Sequence, residues 1–287
     1  MFKEYLKLLR IPHWVKNLFI FVPLLFSRNA TNLAKAGETV LAFFVFSLAA
    51  SAVYVLNDIV DAEKDREHPK KKFRPIASGK VSKNSAFILF VLILMLVIFF
   101  GFNFPPLFGV SLFLYFVINV AYTFGLKRVV LLDLFCIAGG FILRVLAGAF
   151  VIDVYISKWL ILTTIFISLF LAVMKRRSEI LNVENNSLTR RVLADYSFEF
   201  INQISAVTSA GVIICYALYT VSERTVSYFH TEHLVYTTLF VIFGIFRYMY
   251  LVYEKKFGEN TIETLLKDFP SLINILLYVL TVAAIIY

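Results

Sequence analysis

Four oxygen-bearing side chains stand at the end of a long apolar run: Asn57, Asp58, Asp61 and Asp65. An α-helix turns about 100° per residue, so Asp61 would lie about 60° from Asp58 and Asp65 about 20° from it. Three carboxylates on one helix face repel one another, and a cation is expected among them. Hard oxygen ligands suit Mg²⁺, which takes one or two carboxylates and completes its shell with water and substrate phosphate oxygens. Asn57 is placed to ligate or orient such an ion. The alternative is a solvated helix end paired with Lys64, Arg66 and Lys70. Polar groups that directly extend an apolar run are costly near a bilayer, and such residues are usually functional.

The elements that must position these groups are membrane helices. The chain has 287 residues, 60% hydrophobic and 16% charged, with mean hydropathy +0.80. A soluble domain needs more charge than this to cover its surface. Runs of roughly 20 mostly apolar residues, the length that spans a bilayer, occur nine times, at about 14–27, 38–60, 84–104, 106–124, 130–150, 157–174, 199–221, 232–253 and 269–287. The first is short and interrupted by Pro23. Lys3, Glu4, Lys7 and Arg10 interrupt the apolar stretch that a signal peptide would need. Cys136 and Cys215 fall inside predicted spans and read as small buried residues. The expected architecture is one all-α domain, 1–287, with cytoplasmic active-site loops at about 58–83 and 175–198.

The net charge of +9 is unevenly spread. Of 28 basic residues, 22 fall on one side: four at the N-terminus, eight in 61–83, two at 127–128, five in 175–191 and three in 255–267. The positive-inside rule makes that side cytoplasmic. The N-terminus and the active site are then inside and the C-terminus outside, in a plasma or inner membrane. Interleaving with the spans argues against a nucleic-acid partner. Ala49-Ala50-Ser51-Ala52 offers a small-residue surface, either for a homo-oligomer or for packing within the bundle.

Asn57-Asp58-x-x-Asp61-x-x-x-Asp65, followed by Arg74-Pro75-Ile76-Ala77-Ser78-Gly79, resembles the first signature of the UbiA superfamily, nine-helix intramembrane prenyltransferases that bind a diphosphate through Mg²⁺. A second Asp-rich motif is typical of that superfamily after helix 6. Here the corresponding segment reads Met174-Lys175-Arg176-Arg177-Ser178-Glu179. Such cations suit phosphate oxygens directly, Arg by bidentate contacts, or they serve as membrane anchors. The same departure is shared with the decaprenyl-phosphate phosphoribosyltransferase branch. So are Arg10-x-Pro12-x-Trp14-Val15-Lys16-Asn17, Asp65-Arg66-Glu67-His68-Pro69, Leu126-Lys127, Leu132-Asp133, Gly140-Phe141-x-Leu143-Arg144, Lys175-Arg176-x-x-Glu179 and Arg191-Val-Leu-x-x-Tyr196.

The resemblance implies Mg²⁺-dependent transfer of 5-phosphoribose from 5-phosphoribosyl 1-diphosphate (PRPP) to a polyprenyl phosphate within the membrane lipid, with release of diphosphate. Asn57, Asp58, Asp61 and Asp65 would hold the metal, and Asp58, Asp61, Asp65 and Lys127 would act on the reacting groups. Lys16, Asn17, Arg66, Arg74, Tyr122, Asp133, Arg144, Lys175, Arg176 and Glu179 would bind substrate. The acceptor phosphate is a monoester with a second pKa near 6, already ionised at neutral pH, and needs no strong general base. His13 and His68 read as interfacial or structural, and His230 and His233 lie on the outer side. Arg144, about 20 Å into its span at 1.5 Å per residue, requires a polar cavity or must reach outward.

Two other readings are open. A prenyl-diphosphate transferase acting on an aromatic or quinone precursor would need the second metal motif, which the basic Lys175–Glu179 stretch replaces. A secondary transporter would use Asp133, Arg144 and Arg247 to line a pathway, but leaves the Asn57–Asp65 cluster unexplained.

Overall fold

The computed structural model describes residues 2–69, 71–183, 195–255, 257–258 and 261–287. Lys70 and Arg191, named above, lie outside the described residues. So do residues 184–194 of the expected loop after helix 6. The described residues form helices and connecting turns, and nine of the helical stretches are long and apolar enough to cross a membrane.

The helices are α1 (Phe2–Leu9), α2 (Val22–Leu25), α3 (Leu33–Val60), α4 (Ala62–Glu67), α5 (Lys83–Gly101), α6 (Pro106–Phe124), α7 (Leu132–Val151), α8 (Lys158–Val183), α9 (Phe198–Val221), α10 (Glu223–Phe229), α11 (Thr238–Tyr253), α12 (Thr261–Lys267) and α13 (Phe269–Ile286). Turns of 3₁₀ helix cover Ile11–Phe21, Lys71–Phe73, Leu126–Arg128 and His233–Thr237. Their ends are set by local chemistry. The Asn32 side chain accepts from the amides of Ala34 and Lys35 to start α3, and Ser82, Ser197 and Asp268 cap α5, α9 and α13 in the same way.

Two spans differ from the sequence expectation. The first candidate span covers Lys3–Leu25 but is not one α-helix. It breaks at Arg10, which has φ 49°, where Pro12 has no N–H to carry the α1 ladder on, and continues as 3₁₀ helix over Ile11–Phe21. The sixth extends well past Met174. Lys175–Glu179 are therefore helical, not part of a loop beginning at 175. Lys, Arg and Glu are good helix formers, and Glu179 pairs with Arg176 and Lys175 at i−3 and i−4.

The chain divides into two compact units, residues 1–127 with 139–155, and residues 128–138 with 156–287. In the first unit α3 is the hub. Ala49, Ala50, Ser51 and Ala52 are all buried, packed inside the unit. Phe46 and Val53 join Phe90 and Ile93 of α5 and Phe108 and Leu112 of α6 in one core. A Cβ added to Gly148 would lie 2.0 Å from the carbonyl oxygen of Ile20, so only glycine lets α7 meet the 3₁₀ segment. In the second unit α8 packs along α9, and a Cβ at Gly211 would lie 2.3 Å from the ring of Phe166. Phe170 and Met174 of α8, Val212 of α9 and Ile245, Tyr248 and Val252 of α11 form its core.

Candidate active site

In the first unit the acidic motif sits where α3 passes into α4. Asp61, with φ −87° and ψ 2°, ends α3 and opens α4, and the hydrogen bonds Asp61 N to Asn57 O and Asp65 N to Asp61 O, both 2.9 Å, carry the chain across the junction. Helical spacing thus holds closely enough to keep Asp58 and Asp65 together. Arg74 Nη1 donates to Asp58 Oδ1 at 3.1 Å and to Asp65 Oδ2 at 2.6 Å. Arg10 Nη2 also reaches Asp58 Oδ1, at 2.5 Å, and its guanidinium lies over the Tyr54 ring. Asp61 faces a different cation, with Lys127 Nζ at 2.9 and 2.8 Å from its two carboxylate oxygens.

The Arg74–Gly79 signature is the device that brings Arg74 to this place. Ser78 N bonds Arg74 O, Gly79 N bonds Ile76 O, and Val81 N bonds Pro75 O, making a compact turn with Ile76 and Ala77 buried beneath it. Gly79 adopts φ 76°, a conformation glycine takes without strain. Arg66 is exposed and donates to Ala77 O, bracing the same turn. On the outer side of α4, Glu63 pairs with Lys83, and that hydrogen bond holds the Glu63 carboxyl below its ordinary range.

Behind the carboxylates the 3₁₀ segment docks on α3. Trp14 donates to Ser51, Ser51 donates to Leu9 O, and Asn17 Nδ2 donates to Ser47 at 2.8 Å. Arg144 completes this layer. Its Nε donates to Asn17 Oδ1 at 2.6 Å, its Nη1 to Gly140 O and its Nη2 to Tyr115 OH. The rings of Phe46, Tyr115 and Phe141 surround its guanidinium. Arg144 therefore neither lines an open polar cavity nor reaches outward, but is 5% exposed and bonded to neutral acceptors. Asn17 is equally engaged. Lys16 differs: it is half-buried, the charges acting on it are Arg144 and Arg10, and it has no acidic partner among the described residues. Tyr122 is half-buried near the end of α6.

The residues of this unit fit a divalent cation in their chemistry. Asn57 Oδ1 is buried with no hydrogen-bond partner, an acceptor left over beside three carboxylates. Among the described residues no three His, Cys, Asp or Glu side chains are grouped to enclose an ion by themselves. Arg74 bridges Asp58 and Asp65, and Lys127 faces Asp61. That arrangement matches Mg²⁺, which draws part of its shell from a phosphate ligand and water.

In the second unit the expected phosphate-binding residues form a closed network. Arg176, 1% exposed, donates through Nε to Asp133 Oδ2 at 2.6 Å and through Nη1 to Glu179. Tyr196 OH donates to Asp133 Oδ1 at 2.7 Å and accepts from Leu131 N at 2.8 Å. Burial, reinforced by Asp133, pushes the Tyr196 phenol well above its ordinary range, so it remains a donor. Lys175 lies 3.8 Å from Glu179 and is partly exposed. The charge of Arg176 is met by two carboxylates, Asp133 and Glu179. Arg177 turns to the other side, donating to Asn202 and to Val252 O, with the Tyr253 ring 3.5 Å away. Two residues outside the expected set join these sites, Arg10 and Tyr196. The signal for Arg10 is its place one residue before the Ile11-Pro12 break. Nothing in the spacing marks Tyr196 as a partner of Asp133.

Residues 18–255 match the UbiA prenyltransferase family. Decaprenyl-phosphate phosphoribosyltransferase of Mycolicibacterium smegmatis is 31% identical over 223 residues, 76% of this chain and 70% of the relative. The protein of the same name from Corynebacterium glutamicum is 35% identical over 75% of this chain and 66% of its own length. The fold is similar to that of a UbiA homolog from Archaeoglobus fulgidus bound to GPP and Mg²⁺, with a TM-score of 0.74 and 18% identity over 99% of both chains. With nine apolar helices long enough to span a bilayer, the chain is an integral membrane protein, and it belongs to the UbiA prenyltransferase family.

Proposed function

We propose that the protein transfers 5-phosphoribose from PRPP to a polyprenyl phosphate with the help of Mg²⁺. The observation that carries this reading is the first unit's cluster: carboxylates Asp58, Asp61 and Asp65, each already facing an Arg or Lys, beside the unpartnered Asn57 Oδ1. Such a mixed set suits a diphosphate and its cation together. Two relatives named for this reaction, at 31% and 35% identity, support it.

The bond between ribose C1 and the diphosphate oxygen breaks, and an oxygen of the acceptor phosphate bonds to C1. Diphosphate leaves with the bonding electron pair. Asn57, Asp58, Asp61 and Asp65 would hold Mg²⁺, which when bound offsets the charge growing on the leaving group. Arg74 and Lys127 hold N–H donors beside the carboxylates and can share them with phosphate oxygens, charge-assisted bonds roughly twice as strong as neutral ones. Lys16, lacking an acidic partner among the described residues, is the cation available for a further phosphate. In the second unit Lys175, partly exposed, can meet a phosphate of its own, with Arg176 as its support. Arg66, Asn17, Arg144 and Tyr115 hold the turn and the 3₁₀ segment in place. The reading sets the N-terminus and this site on the cytoplasmic face and the C-terminus outside, in contact with membrane lipid.

Purified protein with radiolabelled PRPP, polyprenyl phosphate and Mg²⁺ tests the proposal. Label should enter organic-extractable lipid and vanish with EDTA or with Asp58→Asn. Consumption of a prenyl diphosphate with an aromatic acceptor, and no labelled lipid, would replace this reading with ordinary prenyl transfer.

A further inference from the structure

The second unit contains a strained backbone residue held by a buried hydroxyl. Leu131 has φ 68°, a left-handed conformation that non-glycine residues rarely adopt and that is strained for a side chain with a Cβ. Its carbonyl opens α7, accepting from Leu134 N at 2.9 Å and Phe135 N at 3.0 Å. Its N–H is taken by Tyr196 OH, whose own proton goes to Asp133, two residues further on. Tyr196 is 4% exposed, and its ring packs in the cluster with Leu134, Ala138 and Leu169. One hydroxyl thus ties the strained residue to the carboxylate that receives Arg176.

We propose that Tyr196 is a positioning residue for substrate phosphate, resting on the function above: it locks the Leu131 turn, which fixes Asp133, which orients Arg176 and the Lys175–Glu179 pair. The order follows from the bonds. Asp133 has one oxygen on Tyr196 and the other on Arg176, so its carboxylate plane is set by both. Arg176, held at Nε, directs Nη1 to Glu179, and Glu179 then stands beside Lys175. Lys175, the partly exposed member, is the one that meets the ligand. Without the hydroxyl, the Leu131 amide loses its acceptor and the strained turn can relax, moving the head of α7 and Asp133 with it. A shift of this kind loosens binding of the phosphate substrate at Lys175.

The test is Tyr196→Phe in the full-length protein, alone and combined with Leu131→Gly. Glycine adopts the left-handed conformation without strain, so it removes the strain that the Tyr196 hydrogen bond otherwise has to offset. Tyr196→Phe should raise KM for PRPP roughly tenfold with kcat little changed, and Leu131→Gly in the same chain should restore most of the loss. Hydrogen exchange at the Leu131 amide should accelerate in Tyr196→Phe. A normal KM in an active Tyr196→Phe enzyme overturns the proposal, as does a KM defect that Leu131→Gly fails to rescue. Unchanged exchange at Leu131 overturns it whether or not any variant turns over. A wild-type protein that moves no phosphoribose removes the functional reading and the substrate role of Tyr196 together, and the exchange measurement still judges the latch.

Discussion

Lys127 spans both carboxylate oxygens of Asp61, at 2.9 and 2.8 Å, while Asp58 and Asp65 share Arg74. The acidic cluster is therefore two subsites with separate counter-charges. The backbone hydrogen bonds through Asp61 hold the α3–α4 junction without its carboxylate, whereas Asp58 also ties Arg10 and Arg74 to α3. Asp58→Asn and Asp61→Asn should each lower phosphoribosyl transfer by roughly a hundredfold or more, the loss expected when one preorganised charge at the reacting group is removed. The unfolding temperature in detergent should change little for Asp61→Asn, whereas Asp58→Asn should lower it as well, because Arg10 and Arg74 lose a buried charged partner. Full activity in both variants would remove the metal from this site.

Lys16 is a cation facing cations. Its position beside Arg10 and Arg144, with no acid among the described residues to balance it, is costly unless an anion arrives. Lys16→Ala should raise KM for one phosphate-bearing substrate by roughly tenfold, as loss of one charge-assisted hydrogen bond implies, and should leave the Mg²⁺ dependence of the rate as it was. Initial rates against PRPP and against polyprenyl phosphate identify which substrate it meets. Kinetics unchanged toward both substrates would remove Lys16 from phosphate binding.

Most of the membrane helices were legible because apolar runs of span length leave few alternatives, and the order Asn57–Asp65 followed by Arg74–Gly79 marked the acidic site. What the sequence hid were partnerships over long separations. Asp61 and Lys127 are 66 positions apart, and Arg144 and Asn17 are 127 apart. No local period encodes such pairs. The end of α8 was misplaced for a physical reason: three consecutive basic residues read as a loop by hydropathy, whereas Asp133 and Glu179 neutralise Arg176 and let the helix continue. From its depth in the span, Arg144 calls for a polar cavity or a side chain that reaches outward. Three aromatic rings and three neutral acceptors serve it instead.

Arg144 should consequently act on stability before it acts on binding. Arg144→Leu removes the donors to Asn17 Oδ1, Gly140 O and Tyr115 OH. Each buried group left without a partner costs about 1–3 kcal/mol. The variant should unfold at markedly lower temperature and yield less folded protein, and adding Asn17→Leu should recover part of the loss by removing one orphaned acceptor. A variant as stable as wild type, but with a raised KM, would make Arg144 a ligand-binding residue.

Asp268 links α11 to α13 in the second unit and gives a prediction in pH. Arg247 donates to both its oxygens, at 3.0 and 2.7 Å, and the Ser271 hydroxyl and amide add two more bonds. The Arg247 hydrogen bond, followed by those from Ser271, draws the carboxyl from 3.8 down to about 2. A carboxyl depressed on folding stabilises the native state above its ordinary pKa, and this contribution is lost as pH falls through the folded value. The contribution is thus complete above about pH 4 and gone near pH 2. Asp268→Asn keeps the shape and the capping oxygen but removes the charge. Wild type should melt above Asp268→Asn at about pH 5 to 7, and the gap should close as the pH is lowered from about 4 to 2. A gap of constant size across that range would assign the difference to packing at the head of α13 and not to the Arg247–Asp268 pair.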